Sequence, residues 1–297
     1  MSTIISQVIN GLQTGSVYAL VALGYSMVYG IIMLLNFAHG DIIMVGAYIA
    51  WFSMTRLSLS PIVAIILAVL GCTLLGVVIE KIAYKPLRSS PRISLLITAI
   101  GVSYLLENVA QLILGAGAKM VQTNEGSYII SGPDLVIGSQ HISFTAVVTI
   151  LVSAIAMAAL TFLVNKTKMG KAMRAVSEDT GSAQLMGIPV NRVISYTFAI
   201  GSALAGIGSV LYCCAYPQAS PTMGSMLGLK AFVAAVLGGI GSIPGAMIGG
   251  FCIGMAEALV SAVGLSVWKD GVVFAILIVV LIVRPSGILG QQMNEKV

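Results

Sequence analysis

Charge is what this sequence has least of. Its 297 residues include 15 Lys or Arg and 10 Asp or Glu, against 58% apolar residues and a mean hydropathy of +1.03. A soluble globular domain carries about three times that share of charge. The scarcity excludes a disordered chain, a nucleic-acid-binding module and a water-soluble enzyme. Histidine is nearly absent, with two residues, so no Ser/His/Asp catalytic arrangement can be assembled. There is no Gly-x-x-x-x-Gly-Lys-Ser/Thr loop for nucleotide phosphates either. The sequence therefore predicts a chain that is not an enzyme and holds no cofactor of its own. Cys72, Cys213, Cys214 and Cys252 lie in or beside apolar stretches, lack metal-ligand spacing and read as packing residues. Met1 to Gly40 contains no charged residue, so the basic start of a secretory signal is missing and no cleaved leader is expected.

What is present is apolar sequence along the whole length. A helix needs roughly 20 apolar residues to cross the hydrocarbon core. Charges, prolines and glycine clusters divide the chain into candidate spans at 8–35, 42–55, 61–80, 93–114, 143–164, 193–214, 229–243, 245–263 and 271–283. The runs lack the period-two alternation of a barrel wall. The reading is an all-α, polytopic integral membrane protein, a single transmembrane domain over 1–297 with about eight or nine crossings. The spans beginning at 42, 229 and 271 are short and are candidates for broken or re-entrant helices.

Basic loop residues set the orientation, which also explains the net charge of +5 without invoking nucleic acid. Lys81, Lys85, Arg88 and Arg92 mark one cytoplasmic loop, and Lys166, Lys168, Lys171, Arg174 and Arg192 mark another. The loop at 115–142 between them falls outside, as do 215–228 and 264–270. The tail with Arg284 and Lys296 falls inside, and the N-terminus outside.

Four features interrupt the apolar text. The first is the cytoplasmic stretch 165–192, in which Met169, Met173, Val176, Thr180, Ala183 and Met186 recur at helical steps on one face. Lys171, Arg174 and Glu178 fall on another face, with Arg174 and Glu178 at i, i+4. Gly181 weakens a single helix, and two short helices, the second capped by Asp179 or Thr180, are the alternative. Gly187 and Pro189 end it. The spacing suits an amphipathic loop on the headgroups and a docking element for a cytosolic partner equally. The second is Gly238–Gly254, whose later glycines form overlapping GxxxG units for close helix packing. Its earlier part, with Gly239, Gly241, Ser242 and Pro244, breaks a helix near membrane depth. Such breaks survive where they are buried in protein or line a wet cavity.

The third feature is Asn36 to Asp41, NFAHGD, which sets Asn36, His39 and Asp41 in an otherwise uncharged region. Two potential ligands so close, with the other histidine at 141 in the outer loop, do not make a metal site, and a polar break between helices is expected. The stretch beginning at Asn36 can be laid on the one beginning at Gly238, which suggests an internal repeat of interrupted segments marking a transport pathway. The fourth is a set of intramembrane charges. Glu107 and Glu257 sit within spans, and Lys230 opens one. Lys230 reads as a charge near a helix end; structural pairing and pathway lining suit Glu257 equally.

Several blocks in order are those of a known family: GSVYALVALGYSMVYGIIMLLNFAHGD at 15–41, IEKIAYKPLRSSPR at 79–92, MGKAMRAVSEDTGSAQLMGI at 169–188, GLKAFVAAVLGGIGSIPGAMIGGFCIGMAEAL at 228–259 and RPSGILG at 284–290. The chain resembles the LivH-type permease subunits of bacterial branched-chain amino acid ABC importers nearly end to end, least at 115–142. The resemblance implies a multi-pass protein of the bacterial inner membrane. It also implies a second, homologous permease subunit, two cytosolic ATPase subunits that bind ATP and Mg, and a periplasmic or surface binding protein. It makes 169–188 the element that couples to an ATPase, with Gly170, Arg174, Ala175, Glu178, Asp179, Ala183 and Gly187 matching the family pattern. The translocation path is expected at the two breaks, through Asn36, His39 and Asp41 and through Gly239, Ser242 and Pro244, with Glu257. Two alternatives stay open here: an ion-coupled secondary transporter or channel, and an ABC permease for another small solute such as urea or an amide.

Overall fold

Backbone polar groups in hydrocarbon must be satisfied within the segment, so the apolar runs fold as helices. The computed structural model describes residues 2–33, 36–88, 90–122, 129–130, 132–137 and 140–290. The helices in chain order are α1 (Ser2–Ile32), α2 (His39–Trp51), α3 (Pro61–Ile79), α4 (Arg92–Leu114), α5 (Phe144–Lys166), α6 (Lys168–Glu178), α7 (Thr180–Leu185), α8 (Val190–Ala215), α9 (Met223–Gly238), α10 (Ile243–Ala262) and α11 (Lys269–Val283). A π turn, Phe52–Arg56, prolongs α2. A π turn, Glu80–Tyr84, and a 3-10 turn, Lys85–Leu87, prolong α3. Four short strands complete the described residues: β1 (Lys119–Met120), β2 (Leu135–Ile137), β3 (Gln140–Ile142) and β4 (Gln218–Ala219). β1 pairs with β4 and β2 with β3, both antiparallel.

Among the described residues, 7 helices are long and apolar enough to cross a membrane, which leaves α2 and α9 as the short ones. Short spans were expected at these two places, but the boundaries differ. α2 begins at His39 rather than 42, because the polar residues of the break are themselves buried in the helix. α9 begins at Met223 rather than 229, which puts Lys230 in its middle instead of at its opening. The ammonium is tolerated there because two carboxylates hold it, Glu257 at 2.7 Å and Asp270 at 2.6 Å. The last span is longer than expected: a 3-10 turn at Ser266–Trp268 extends α11 to 18 residues. Leu34, Leu35 and Lys296, used above for a span end and for the tail, lie outside the described residues.

α1 is the most enclosed span, and α4, α5 and α11 are the least. α1 meets α10 backbone to backbone: a methyl group on Gly250 would collide with Ala19, and one on Gly254 with Gly15. Gly249 and Gly245 approach Ala234 and Gly238 of α9 in the same way. The GxxxG units thus pack helices, as their spacing predicts.

An internal repeat is present, though not in the pairing read from sequence. α3 packs on α8 as α10 packs on α1, and α2 sits between α3 and α8 as α9 sits between α10 and α1. α1 and α8 run antiparallel, since Gly24 meets Gly201 while Gly208 meets Val21. The matching units are therefore α1–α2–α3 and α8–α9–α10, inverted, and α2 corresponds to α9, not to α10. The sequence alignment followed the two glycine-rich breaks. The fold instead follows the short helices, and Gly24 and Gly40 recur at the same spacing as Gly208 and Gly224.

Arg88 donates to Asn191 Oδ1 (2.6 Å), which puts the two basic loops at one end of the molecule. At the other end β1 pairs with β4, and Thr55 donates to Gln122 O (3.0 Å). The basic end is the cytoplasmic one by the charge rule.

Candidate functional site

The sequence-predicted residues fall into four places. At the first break α1 ends, Met33 adopts φ 51°, and the chain re-enters to start α2. Asn36, His39 and Asp41 are all buried there. Asn36 Oδ1 accepts from the Tyr84 hydroxyl at 2.6 Å, and the His39 ring stands edge-on to Tyr25 with centroids 5.0 Å apart. The amide Nδ2 of Asn36, Nε2 of His39 and both carboxylate oxygens of Asp41 find no hydrogen-bond partner among the described residues. Ser26 Oγ and Tyr48 OH share that property, on the same two helices. Buried polar atoms are nearly always satisfied, so this group of unpaired ones on α1, α2 and the break between them stands out.

The start of α2 abuts the start of α9. A methyl on Gly40 would collide with the Gly224 carbonyl, and one on Gly224 would sit 2.7 Å from both the Gly40 carbonyl and Asp41 Oδ1. Two helix N-termini, with their positive dipole ends, therefore meet inside the protein.

The second break, at 239–242, lies at the basic end. Gly239 (φ 106°) closes α9, Ser242 Oγ caps α10 by accepting from Gly245 N–H (3.2 Å), and Pro244 occupies the first turn of α10. The C-terminal segment passes beneath it as a strap: Ile288 N–H donates to Leu237 O and Leu289 N–H to Gly238 O, both at 2.9 Å. Glu257 is at a third place, in an ion cluster with Lys230, and its Oε2 accepts from Tyr18 OH at 2.9 Å.

The fourth place is the cytoplasmic hairpin α6–α7. The two-helix alternative holds. Thr167 caps α6 by accepting from Gly170 N–H (3.1 Å), and Asp179 caps α7 by accepting from Gly181 N–H (2.8 Å) and Ser182 N–H (3.0 Å). Gly187, at φ 80°, ends α7. Gly170, Met173, Val176 and Ala183 are buried, Ala175 is half-buried, and Glu178 and Asp179 are exposed. Two expectations fail. Arg174 does not pair with Glu178; it donates to Val164 O (3.1 Å) and Asn165 Oδ1 (3.2 Å), capping the C-terminal end of α5. Neither Thr180 nor Met186 joins the buried face. The break at Asp179 rotates α7, and Leu185 and Met186 stand 90% and 83% exposed at the hairpin tip.

The hairpin touches the second break and the end of α1. Met173, Arg174 and Ser177 line a cleft of about 80 Å³ with Ser26 and Gly30 of α1 and Gly241 of the second break. The start of α8, which follows the hairpin, is linked to the first break through residues that sequence reasoning missed. Glu80, fully buried, pairs with Arg88 and accepts from Ser195 Oγ (2.7 Å), while Arg88 reaches Asn191 at the start of α8. Tyr84, on the same turn as Glu80, holds Asn36. Glu80 and Arg88 both stood in the IEKIAYKPLR block, where Arg88 read as a loop charge and Glu80 was passed over. The π turn, which carries α3 into that block, makes Glu80 interior and brings Arg88 against it.

A family model described as "Branched-chain amino acid transport system / permease component" matches residues 7–281. The chain is 42% identical to the high-affinity branched-chain amino acid transport system permease protein BraD of Pseudomonas aeruginosa, over 99% of this chain and 98% of that one. It is 43% identical to the corresponding permease protein LivH of Escherichia coli K12, over 99% and 97%. It is also 23% identical to the fructose import permease protein FruG of Bifidobacterium longum, over 92% and 82%. No solved structure matches the chain. With its apolar helices and a family match over most of its length, this chain is a multi-pass inner-membrane transport subunit that belongs to the family of branched-chain amino acid transport system permease components.

Proposed function

We propose that this chain is one permease domain, residues 1–297, of an ATP-driven importer for branched-chain amino acids. It works with a second, homologous permease, two cytosolic ATPase subunits that bind ATP and Mg, and an extracytoplasmic binding protein. The observation that carries the coupling role is the α6–α7 hairpin: one face is buried against α1, α5 and the second break, while Glu178 at the end of α6 and Leu185 and Met186 at the end of α7 are exposed. An outer surface with an exposed apolar pair and an exposed acid suits a groove in a cytosolic partner. Closure of the ATPase pair moves the hairpin as a rigid body. Gly170, Arg174, Ala175, Glu178, Asp179, Ala183 and Gly187 keep it rigid or present its outer face. The cargo passes the unpaired polar groups of Asn36, His39 and Asp41. Gly239, Ser242 and Pro244 border the cytoplasmic opening, and Glu257 holds α9, α10 and α11 in register beside the path.

The test is co-purification with the cognate ATPase subunits and their hydrolysis rate. Leu185→Asp and Glu178→Arg lose docking and permease-stimulated hydrolysis while the membrane domain keeps its elution profile. Undiminished docking by both variants would move the contact elsewhere, and failure of the unaltered chain to bind any ATPase would remove the importer reading.

A further inference from the structure

Among the described residues, four acids are buried within the helical body: Asp41, Glu80, Glu107 and Glu257. Two of them have cations. Glu80 pairs with Arg88, and Glu257 with Lys230. The other two have none among the described residues, and they are neighbours: Glu107 of α4 lies close enough to act electrostatically on Asp41 of α2. Asp41 is fully buried with both oxygens unpaired, although Ser103 of α4 approaches it at less than full hydrogen-bond geometry. Glu107 accepts from Ser225 in the first turn of α9, and Asp41 Oδ1 faces Gly224 one residue earlier. The helix N-termini of α2 and α9 supply positive potential at this point. Two uncompensated carboxylates at such depth are costly, and a fold that merely needed packing would not place them together.

An apolar groove of about 400 Å³ lies next along the same two helices, lined by Val45, Tyr48 and Ile49 of α2 and by Leu106 and Ala110 of α4. Val45 is one helical turn beyond Asp41, and Leu106 and Ala110 flank Glu107. A cation site with an adjoining apolar trough matches a primary ammonium on a carbon that carries a branched aliphatic chain.

We infer that Asp41 and Glu107 form the subsite that receives the α-ammonium group of the transported amino acid, with the groove between α2 and α4 taking its side chain. This rests on the proposed function and names the chemistry of its path. The ammonium is held by charge-assisted hydrogen bonds to the two carboxylates, shared with Ser103 and Ser225. A small inorganic cation would satisfy the same acids, but the trough gives it nothing to bind, so the cargo is the occupant the geometry favours.

The experiment uses the full transporter in proteoliposomes, with leucine supplied on its binding protein, and the melting temperature of each purified complex. Asp41→Asn and Glu107→Gln each lower leucine uptake at least tenfold, Asp41→Glu retains part of it, and melting temperatures stay level or rise because an unpaired buried charge is gone. Replacing sodium and potassium by N-methylglucamine leaves wild-type uptake unchanged. Wild-type rates of uptake in both neutral variants would overturn the subsite while leaving the importer reading intact. So would a fall in melting temperature that accompanies the loss, which marks the acids as structural, or a requirement for an alkali cation. A wild-type complex that hydrolyses ATP but moves no amino acid would instead overturn the cargo assignment itself, and the subsite with it.

Discussion

Gly40 and Gly224 occupy each other's side-chain space: a methyl on either would strike the other's carbonyl oxygen. The reciprocity follows from the inverted repeat, since the two residues hold equivalent positions in α2 and α9 and meet where the halves face each other. No other residue type fits at such a crossing.

The crossing gives the first prediction. Gly40→Ala and Gly224→Ala each overpack a backbone contact that no side chain can yield to, destabilising the fold by about 1–3 kcal/mol or more. Thermal unfolding followed by fluorescence-detected size exclusion reads the change. Gly101, whose added methyl would meet nothing within 4 Å, is the control and tolerates alanine.

Glu80 and Arg88 give the second. Glu80→Gln leaves Arg88, still partly buried at 21% exposure, without its carboxylate and costs about 3 kcal/mol. Because the pair ties the start of α8 to the turn that holds Asn36, hydrolysis of ATP also loses its dependence on loaded binding protein. Simultaneous Glu80→Gln and Arg88→Met restores more thermal stability than Arg88→Met loses alone if the pair acts as a unit; additive melting shifts would refute that.

The third concerns Lys230. Lys230→Met sets Glu257 and Asp270 facing one another without a cation and destabilises the outer half of α9–α11 by about 3–5 kcal/mol. Adding Glu257→Gln recovers part of the loss. A double-mutant cycle on melting temperature measures the coupling, and a coupling of zero would show the ammonium to be solvated elsewhere.

The fourth concerns the hairpin's own rigidity. Asp179→Ala removes the cap that accepts from Gly181 and Ser182, weakening α7 by about 1 kcal/mol. The hairpin tip then frays, and ATPase docking weakens without loss of the membrane domain. Asp179→Ser retains the cap and most of the docking, which separates a capping role from a charge role.

How much of this was legible beforehand depends on the kind of residue. Helix existence followed from uninterrupted hydropathy, because in lipid no other secondary structure satisfies the backbone of a single segment. The breaks were legible, at 36–41 and from 238 on, because glycine and polar residues stand out against apolar text. Lys230 was misplaced because a charge inside a run looks like the run's end. What tells the two apart is a pair of carboxylates that come from α10 and α11, far along the chain. Met186 was misplaced because periodicity assumes one axis, and the Asp179 cap changes the axis. The repeat was misaligned because glycine-rich text attracts glycine-rich text, while the fold repeats the order in which helices pack. Within the candidate site, Asn36, His39 and Asp41 were found by polarity alone. Glu107 was noticed but not joined to them, since α2 and α4 come together only in three dimensions.

The strap beneath α9 carries a consequence for how the molecule is made. The carbonyls of Leu237 and Gly238 receive their partners from Ile288 and Leu289, almost the last described residues to leave the ribosome. Until then the end of α9 is unlatched, and with it the second break and the floor of the hairpin cleft. Assembly is therefore sealed from the C-terminus. A nascent chain stalled before residue 288 has every span but no latch, and a membrane protease that inspects unlatched helix ends would distinguish it from a finished subunit.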